Sequence, residues 1–490
     1  MPPPRVTRSS PVELRWQIWL PWLALATLLL SATRTDPDIW GHLRFGLDWL
    51  QTRELPSQDP YSYLQDRPWV NHEWLSETAM GAAYHLGGSA GLVVLKMLVI
   101  AGAIAIIAWR VRGASPIVSA TVMTLAIVGA LPLSGTVRPQ IWSALGLALL
   151  VPVLTLEPPT PARVAGAVVL FGVWANLHGG WITGGAALAL HALIRTVRRP
   201  KHALTWLGLG FGCLLATLGN PYGSGLWRFL ATTVRASRPD VTEWQPFSRH
   251  EPLIMWVSIA APLLALALLA RRRETRPPVE TVAVVLLFVA AGLRVSRVAP
   301  LICPAALALL APWIRAAWGN LGRFSAPTSG AAMVLLLPAA LALAAVVSPV
   351  SQVMRCLPVK DSWIPDLTAA AQLNGLSGNL WTTFDWGEYA IWHFGPALRV
   401  SIDGRRETVF SEAVIQLNRA AEHGDRAALA RMASLGTDYV WLPSTRTDAR
   451  VWLEANGYRV DVDTGLSFIA ARSELPRVRG GKPTLAACFP

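Results

Sequence analysis

Residues 16–42 read WQIWLPWLALATLLLSATRTDPDIWGH. The run 16–32 is apolar over the ~17–25 residues that a bilayer-crossing helix needs. Within a few residues it passes into an acidic motif, Asp36-Pro37-Asp38. Similar apolar runs recur as far as Val347, so the chain reads as a polytopic α-helical membrane protein. The pattern predicts about eleven spans: 16–32, 90–109, 116–133, 141–156, 164–175, 181–194, 203–218, 253–270, 278–293, 298–314 and 331–347. No small-residue cleavage site stands out after Ala32, so the first span reads as a retained helix.

Composition supports this. The 490 residues are 53% hydrophobic and 15% charged, with a mean hydropathy of +0.39. An ordinary soluble domain carries about 25% charged residues. A soluble one- or two-domain enzyme is thereby excluded, as is a disordered or collagen-like chain. The net charge of +13 does not mark a nucleic-acid binder, because most of the excess sits in short loops between apolar runs. Arg5, Arg8 and Arg15, then Arg110 and Arg112, then Arg195, Arg198, Arg199 and Lys201, then Arg271, Arg272, Arg273 and Arg276 share one side if the N-terminus is cytoplasmic. An odd number of spans then carries everything after Val347 to the outside of a plasma (inner) membrane.

Two domains follow. Residues 1–347 form the transmembrane part, with large external loops at 33–89 and 219–252, and 348–490 form an external domain. In the latter, β-type runs at 380–384, 398–402, 439–442, 458–462 and 467–471 alternate with helical stretches at 411–434 and 449–456, which predicts a small α/β fold. Cys213 and Cys303 lie in spans. Cys356 and Cys488 bracket the external domain, where a disulfide suits an oxidising compartment.

Chemistry needs side chains held in a cleft, which directs attention to the external loops. Asp36 and Asp38 sit at the rim of the membrane. Two carboxylates this close can serve one hydroxyl as a general base, or one hard cation that bridges to a phosphate. The competing reading is a helix cap at Ile39, a role that aspartate fills well. Further on come His72-Glu73 and Glu77. A zinc-protease motif needs a second histidine four residues after His72, where Ser76 stands. Arg138 opens a span on the outer side and suits a phosphate clamp. His178 lies in a Gly-rich outer turn, and Glu243 in the second large loop. The first-loop tryptophans Trp40, Trp69 and Trp74 read as packing residues rather than sugar platforms.

A span followed at once by an acidic motif in a long first loop, many further spans and an external C-terminal domain resembles the GT-C superfamily of membrane glycosyltransferases. A second segment, Thr383-Phe384-Asp385-Trp386-Gly387-Glu388-Tyr389 followed by Arg399 to Arg405, resembles the start of the external domain in oligosaccharyltransferase catalytic subunits. Asp385, Gly387 and Tyr389 carry over. The paired tryptophans of that segment are missing here, and 131–140 contains no carboxylate where those enzymes carry a second acidic motif.

The resemblance implies transfer of a sugar from a polyprenyl-phosphate-linked donor to an acceptor glycan, lipid or protein at the membrane surface. Asp36 and Asp38 would be catalytic. Arg138, His178, Asp385, Tyr389 and Arg405 would bind substrate, and Asp38, Glu73 and Glu243 would hold a divalent cation, Mg²⁺ or Mn²⁺. Two other readings stay open: a transporter or flippase of lipid-linked glycans, and a non-catalytic envelope-assembly scaffold.

Overall fold

The computed structural model describes residues 30–155, 159–233, 238, 241–318, 357, 365–478 and 489. The expected span 331–347, nearly all of 16–32, the N-terminal arginines and both Cys356 and Cys488 lie outside the described residues.

The remaining nine expected spans all coincide with helices. Helix α1 (Asp38–Thr52) belongs to the first loop. The bundle comprises α2 (Trp74–Val111), α3 (Pro116–Ser134), α4 (Gln140–Leu154), α5 (Pro161–Leu177), α6 (Trp181–Arg198), α7 (Ala203–Ala216), α9 (Leu253–Ala270), α10 (Val279–Arg294) and α11 (Ala299–Trp318), with a short α8 (Gly225–Thr233) between α7 and α9. Among the described residues, four helical stretches are long and apolar enough to cross a membrane: Trp74–Val111, Ile117–Ser134, Leu253–Ala270 and Ser296–Trp318. The other bundle helices are shorter or less apolar. Leu98, Val169, Leu207, Phe211 and Leu264 are exposed on the outside of the bundle, an apolar surface suited to lipid. Helix α2 is two arms meeting at Gly88, whose φ of 56° a residue with a side chain rarely adopts.

All five predicted β-runs are strands: β1 (Gly378–Thr382), β2 (Leu398–Val400), β3 (Tyr439–Pro443), β4 (Tyr458–Asp463) and β5 (Ser467–Arg472). They form one sheet in the order β2-β1-β3-β5-β4. Strand β1 pairs parallel with β2 and β3, and β5 pairs antiparallel with β3 and β4. Two details differ from expectation. Phe384 opens a helix, α12 (Phe384–Phe394), instead of ending a strand. The stretch 411–434 is two helices, α13 (Glu412–Glu422) and α14 (Arg426–Ser434). They part at Gly424, with φ of 88°, and Asp425 accepts from Ala428 N–H at 2.8 Å to cap the second. The last predicted helix is α15 (Thr447–Ala455).

The first loop does not stand apart from this domain. Ile39, Trp40, Leu43, Phe45, Tyr61 and Trp69 share one hydrophobic core with Leu380, Ile391, Val400, Ile402, Phe410 and Trp441. The backbone of Ser62 pairs parallel with Val400 beside β2, with Val400 N–H donating to Tyr61 O at 2.8 Å. At the centre of the joint, Arg405 donates to Asp59 at 2.7 and 2.8 Å and to Asp403 at 2.7 and 2.8 Å. Its guanidinium also lies 4.8 Å from the ring centres of both Phe45 and Trp69. The three charged groups are buried, with both aspartates inaccessible to solvent.

Removing one partner of such a pair leaves an uncompensated buried charge, which costs about 3–5 kcal/mol. Arg405→Met should therefore lower stability by that amount and loosen the first loop from the sheet. Thermal unfolding of the detergent-solubilised chain, followed by tryptophan fluorescence, reads the loss. An unchanged midpoint would show that the joint does not depend on Arg405.

Candidate active site

One end of the bundle carries 136–139, the turn 178–180, the segment 242–244 and the start of α11. The first loop and the edge of the α/β domain cover it. Thr136 and Val137 lead into α4, and Val137 is buried against the first-loop core, which aims Arg138 inward. The Arg138 guanidinium then meets three carboxylates from two other segments. Nε donates to Asp36 Oδ2 at 2.5 Å, Nη2 lies 3.1 Å from Asp38 Oδ2, and Nη1 donates to Glu243 Oε1 at 3.1 Å. Four predicted residues are thus brought together.

The two aspartates are held differently. Asp36 is buried, and its Oδ1 accepts the N–H of Asp38 at 3.1 Å in a local turn before α1, whose N-cap position is Pro37 without a side-chain cap. Its other oxygen faces Arg138. Asp38 remains about a third exposed (32%) and faces the cleft. Desolvation by the cleft walls, with the Asp36 charge beside it, raises the Asp38 pKa despite Arg138.

Several residues of the site were not singled out in the sequence. Arg297 reaches Glu243 at 3.2 Å and stacks 4.8 Å from the Trp244 ring, so two guanidinium groups share one carboxylate. A cavity of about 250 Å³ opens beside them, lined by Thr136, Gln140, Glu243, Ser296, Arg297 and Pro300 among others. The signal for Arg297 was available: on the expected topology it is a basic residue in a short outer loop, against the positive-inside pattern. His42, one helical turn after Asp38, pairs with Glu77 at 3.0 Å. Burial opposes its charge, but the Glu77 hydrogen bond and the nearby carboxylates lift its pKa to about 9.

Glu388 is the largest omission. It lies on α12, inside the quoted 383–389 segment, and is buried, with Oε2 accepting the N–H of Gly41 at 3.1 Å. A Cβ on Gly404 would stand 2.7 Å from Glu388 Oε1 and 2.9 Å from Asp38 Oδ1, so the two carboxyl groups flank that glycine. Burial, with the Asp38 and Asp403 charges, pushes the Glu388 pKa well up. Gly387 has a packing reason: a Cβ there would meet Ile402 O at 2.1 Å. Asp385 is exposed, its pKa raised by partial desolvation and by Asp38 and Glu422.

Tyr389 and Arg405 are placed elsewhere than their expected roles suggest. Tyr389 is buried, edge-on to Trp40 at 5.3 Å and 4.2 Å from His393. Arg405 is held in the joint described above. Both are walls of the cleft rather than groups facing it. Trp40 and Trp69 are buried packing residues, as expected.

His178 and Glu73 form a second polar cluster. Ser143 Oγ lies 2.6 Å from His178 Nδ1, and Gly180 N–H donates to the same nitrogen at 3.1 Å. An N–H donor there fixes Nδ1 as acceptor, so the ring proton sits on Nε2, 3.7 Å from Glu73 Oε1. His72 Nε2 lies 3.6 Å from the same oxygen. Burial pushes His178 down to about 4, while the imidazoles of His72, His178 and His42 outweigh burial and lower the Glu73 pKa.

These residues do not fit a divalent cation. Asp38 and Glu243 both face the Arg138 guanidinium, and Glu73 faces the protonated edge of His178. Among the described residues, no three His, Cys, Asp or Glu side chains converge as a ligand set.

The fold is shared with two solved membrane proteins of the GT-C superfamily. Against the archaeal oligosaccharyltransferase AglB of Archaeoglobus fulgidus, in complex with an inhibitory peptide and a dolichol-phosphate, the TM-score is 0.53 at 13% identity, over 94% of this chain and 75% of that one. Against ArnT of Cupriavidus metallidurans bound to undecaprenyl phosphate it is 0.55 at 12% identity, over 96% and 100%. Apo ArnT gives 0.52 at 13% identity, over 93% and 97%. No protein-family model matches the sequence, and no curated protein matches it. The chain shares the overall fold of these structures.

The His42–Glu77 pair makes a pH prediction. Because the folded-state pKa is raised from 6.5, the stabilisation is fully present below about pH 6.5 and is lost as pH rises through about 9. The melting midpoint of the full chain should fall across that window, and Glu77→Gln should flatten the fall. Parallel pH profiles for the two proteins would remove the pair from the account.

Proposed function

We propose that the chain is a membrane glycosyltransferase that moves a sugar from a polyprenyl-phosphate-linked donor to an acceptor at the membrane surface. The observation that carries this reading is the Arg138 cluster: a phosphate-binding cation and a cleft-facing carboxylate share one site in a GT-C fold. On this reading 1–347 is the membrane part and 348–490, with the loop 33–89, covers the site on the outer side of the plasma membrane.

Asp38 is the general base. The acceptor hydroxyl attacks the anomeric carbon, its proton passes to Asp38, and the bond from that carbon to the phosphate oxygen breaks with the electron pair on the phosphate. A raised pKa improves Asp38 as a proton acceptor. The departing phosphate gains a negative charge, which Arg138 and Arg297 neutralise through charge-assisted hydrogen bonds. Glu243, the most exposed of the three carboxylates at 42%, gives way to it. An apolar cavity of about 640 Å³ between α5, α6, α7 and α8, lined by Phe171, Trp181, Leu188, Leu214, Trp227 and Leu230 among others, suits an isoprenoid chain. Glu388 anchors the first turn of α1 through the Gly41 N–H, and His178 lies beside Glu73.

Two measurements separate binding from chemistry. Arg297→Gln should weaken binding of undecaprenyl phosphate, measured by thermal shift, by about tenfold or more, the value of one charged hydrogen-bond pair. Asp38→Asn should bind the same lipid normally, yet release it from a sugar-loaded form about 10²–10⁴-fold more slowly. Full turnover by Asp38→Asn would remove Asp38 from the chemistry, and a wild-type chain that ignores the lipid would end the reading itself.

A further inference from the structure

Two of the three donors expected to hold a metal, Asp38 and Glu243, meet an arginine instead, while Glu73 lies beside His72 and His178. Each of the three nitrogens of Arg138 faces a different carboxylate, Asp36 at 2.5 Å, Asp38 at 3.1 Å and Glu243 at 3.1 Å. We propose that the Arg138 guanidinium occupies the place of a bridging divalent cation, so that this chain transfers its sugar without Mg²⁺ or Mn²⁺. The consequence for catalysis rests on the function proposed above; the cation-site statement rests on geometry alone.

Size gives the first argument. Mg²⁺ draws its oxygens to about 2.0–2.1 Å in an octahedron, which brings neighbouring carboxylate oxygens into mutual contact. A planar guanidinium instead spreads its acceptors around a rim, with each oxygen about 3 Å from its own nitrogen. Asp36, Asp38 and Glu243 are arranged for the rim. The second argument is anchoring. Asp36 is buried and fixed by the Asp38 N–H, Arg34 N–H donates to Gly135 O at 2.9 Å, and Ser296 Oγ donates to Glu243 O at 3.2 Å. With Arg138 in place, these bonds hold the three segments at guanidinium spacing.

Charge gives the third. Three carboxylates face Arg138 and Arg297, leaving the pair of arginines one charge short of balance and ready for a proton or an exchange of Glu243 for phosphate. Burial disfavours the Arg138 charge, but Asp36, Asp38 and Glu243 more than restore it, so the cation is permanent across the working pH range. The sequence agrees: 131–140 contains no carboxylate, and Arg138 is its one charged residue.

The test is a Mn²⁺ titration of the full-length, detergent-solubilised chain, followed by electron paramagnetic resonance of the free ion. The wild-type protein should take up no stoichiometric Mn²⁺. Arg138→Ala should gain one site, and adding Asp38→Asn should abolish it. A stoichiometric Mn²⁺ in the wild type that disappears in Asp38→Asn overturns the proposal, and so does a folded Arg138→Ala that gains none. If Arg138→Ala does not fold, the wild-type titration still decides. In the lipid-release assay, excess EDTA should change the wild-type rate by less than about twofold, and a collapse restored by Mg²⁺ overturns the catalytic part. A chain with no lipid-release activity at all would refute the proposed function and leave the Mn²⁺ result standing.

Discussion

A single ammonium group fixes the spacing of the site. Lys96 lies on α2 beyond the Gly88 kink and is inaccessible to solvent. Its Nζ donates to Thr33 Oγ1 at 2.6 Å, Ser134 O at 2.5 Å and Ala32 O at 3.4 Å. A lysine offers three donors, and here each has an acceptor. Burying a charge costs several kcal/mol, and only full hydrogen bonding offsets such a cost. The acceptors sit just before Asp36 and just before Arg138. The same group therefore holds the ends of two chain segments whose side chains then meet at 2.5 Å. An apolar residue at position 96 would leave those acceptors without this partner and the two segments joined by the Arg34 N–H to Gly135 O bond and the Asp36–Arg138 pair.

Charge state in the cleft follows from neighbours more than from residue type. Glu388, Asp38 and Glu73 are all carboxyl groups of one region, yet their pKa values are pushed apart. Glu388 faces other acids in a buried cradle and goes up, whereas Glu73 faces imidazoles and goes down. Divergent environments of this kind are how one cleft holds both a proton donor and a proton acceptor.

Apolar runs were legible because each helix must hide its backbone from lipid or core, and the length of the run records it. The β-runs of the last domain were legible for the same reason. Phe384 was misread because Phe-Asp-Trp alternates like a strand, while its helix is set by the joint: Gly387 must approach Ile402 and Glu388 must reach Gly41. Asp36, Asp38, Arg138 and Glu243 were legible as charges stranded in loops on one side. Glu388 and Arg405 were not, because their partners lie 347 and 346 residues away, at Gly41 and Asp59. No local spacing encodes such a pair. Arg405 and Tyr389 also show the limit of a matched motif, since both are buried in packing, whereas the matched Asp385 is exposed.

The choice between the two first-loop aspartates can be argued from what each would lose by reacting. Asp36 already gives one oxygen to the Asp38 N–H and the other to Arg138 Nε, and it is 1% exposed. Protonating it would break a buried ion pair and loosen the start of α1 at once. Asp38 gives Oδ2 to a guanidinium that also holds two other carboxylates, and its Oδ1 is turned toward Gly404 and Glu388. Taking a proton there leaves Arg138 still paired with Asp36 and Glu243. A base must change charge once per turnover without disturbing the frame around it. Asp38 meets that condition, and Asp36 is part of the frame.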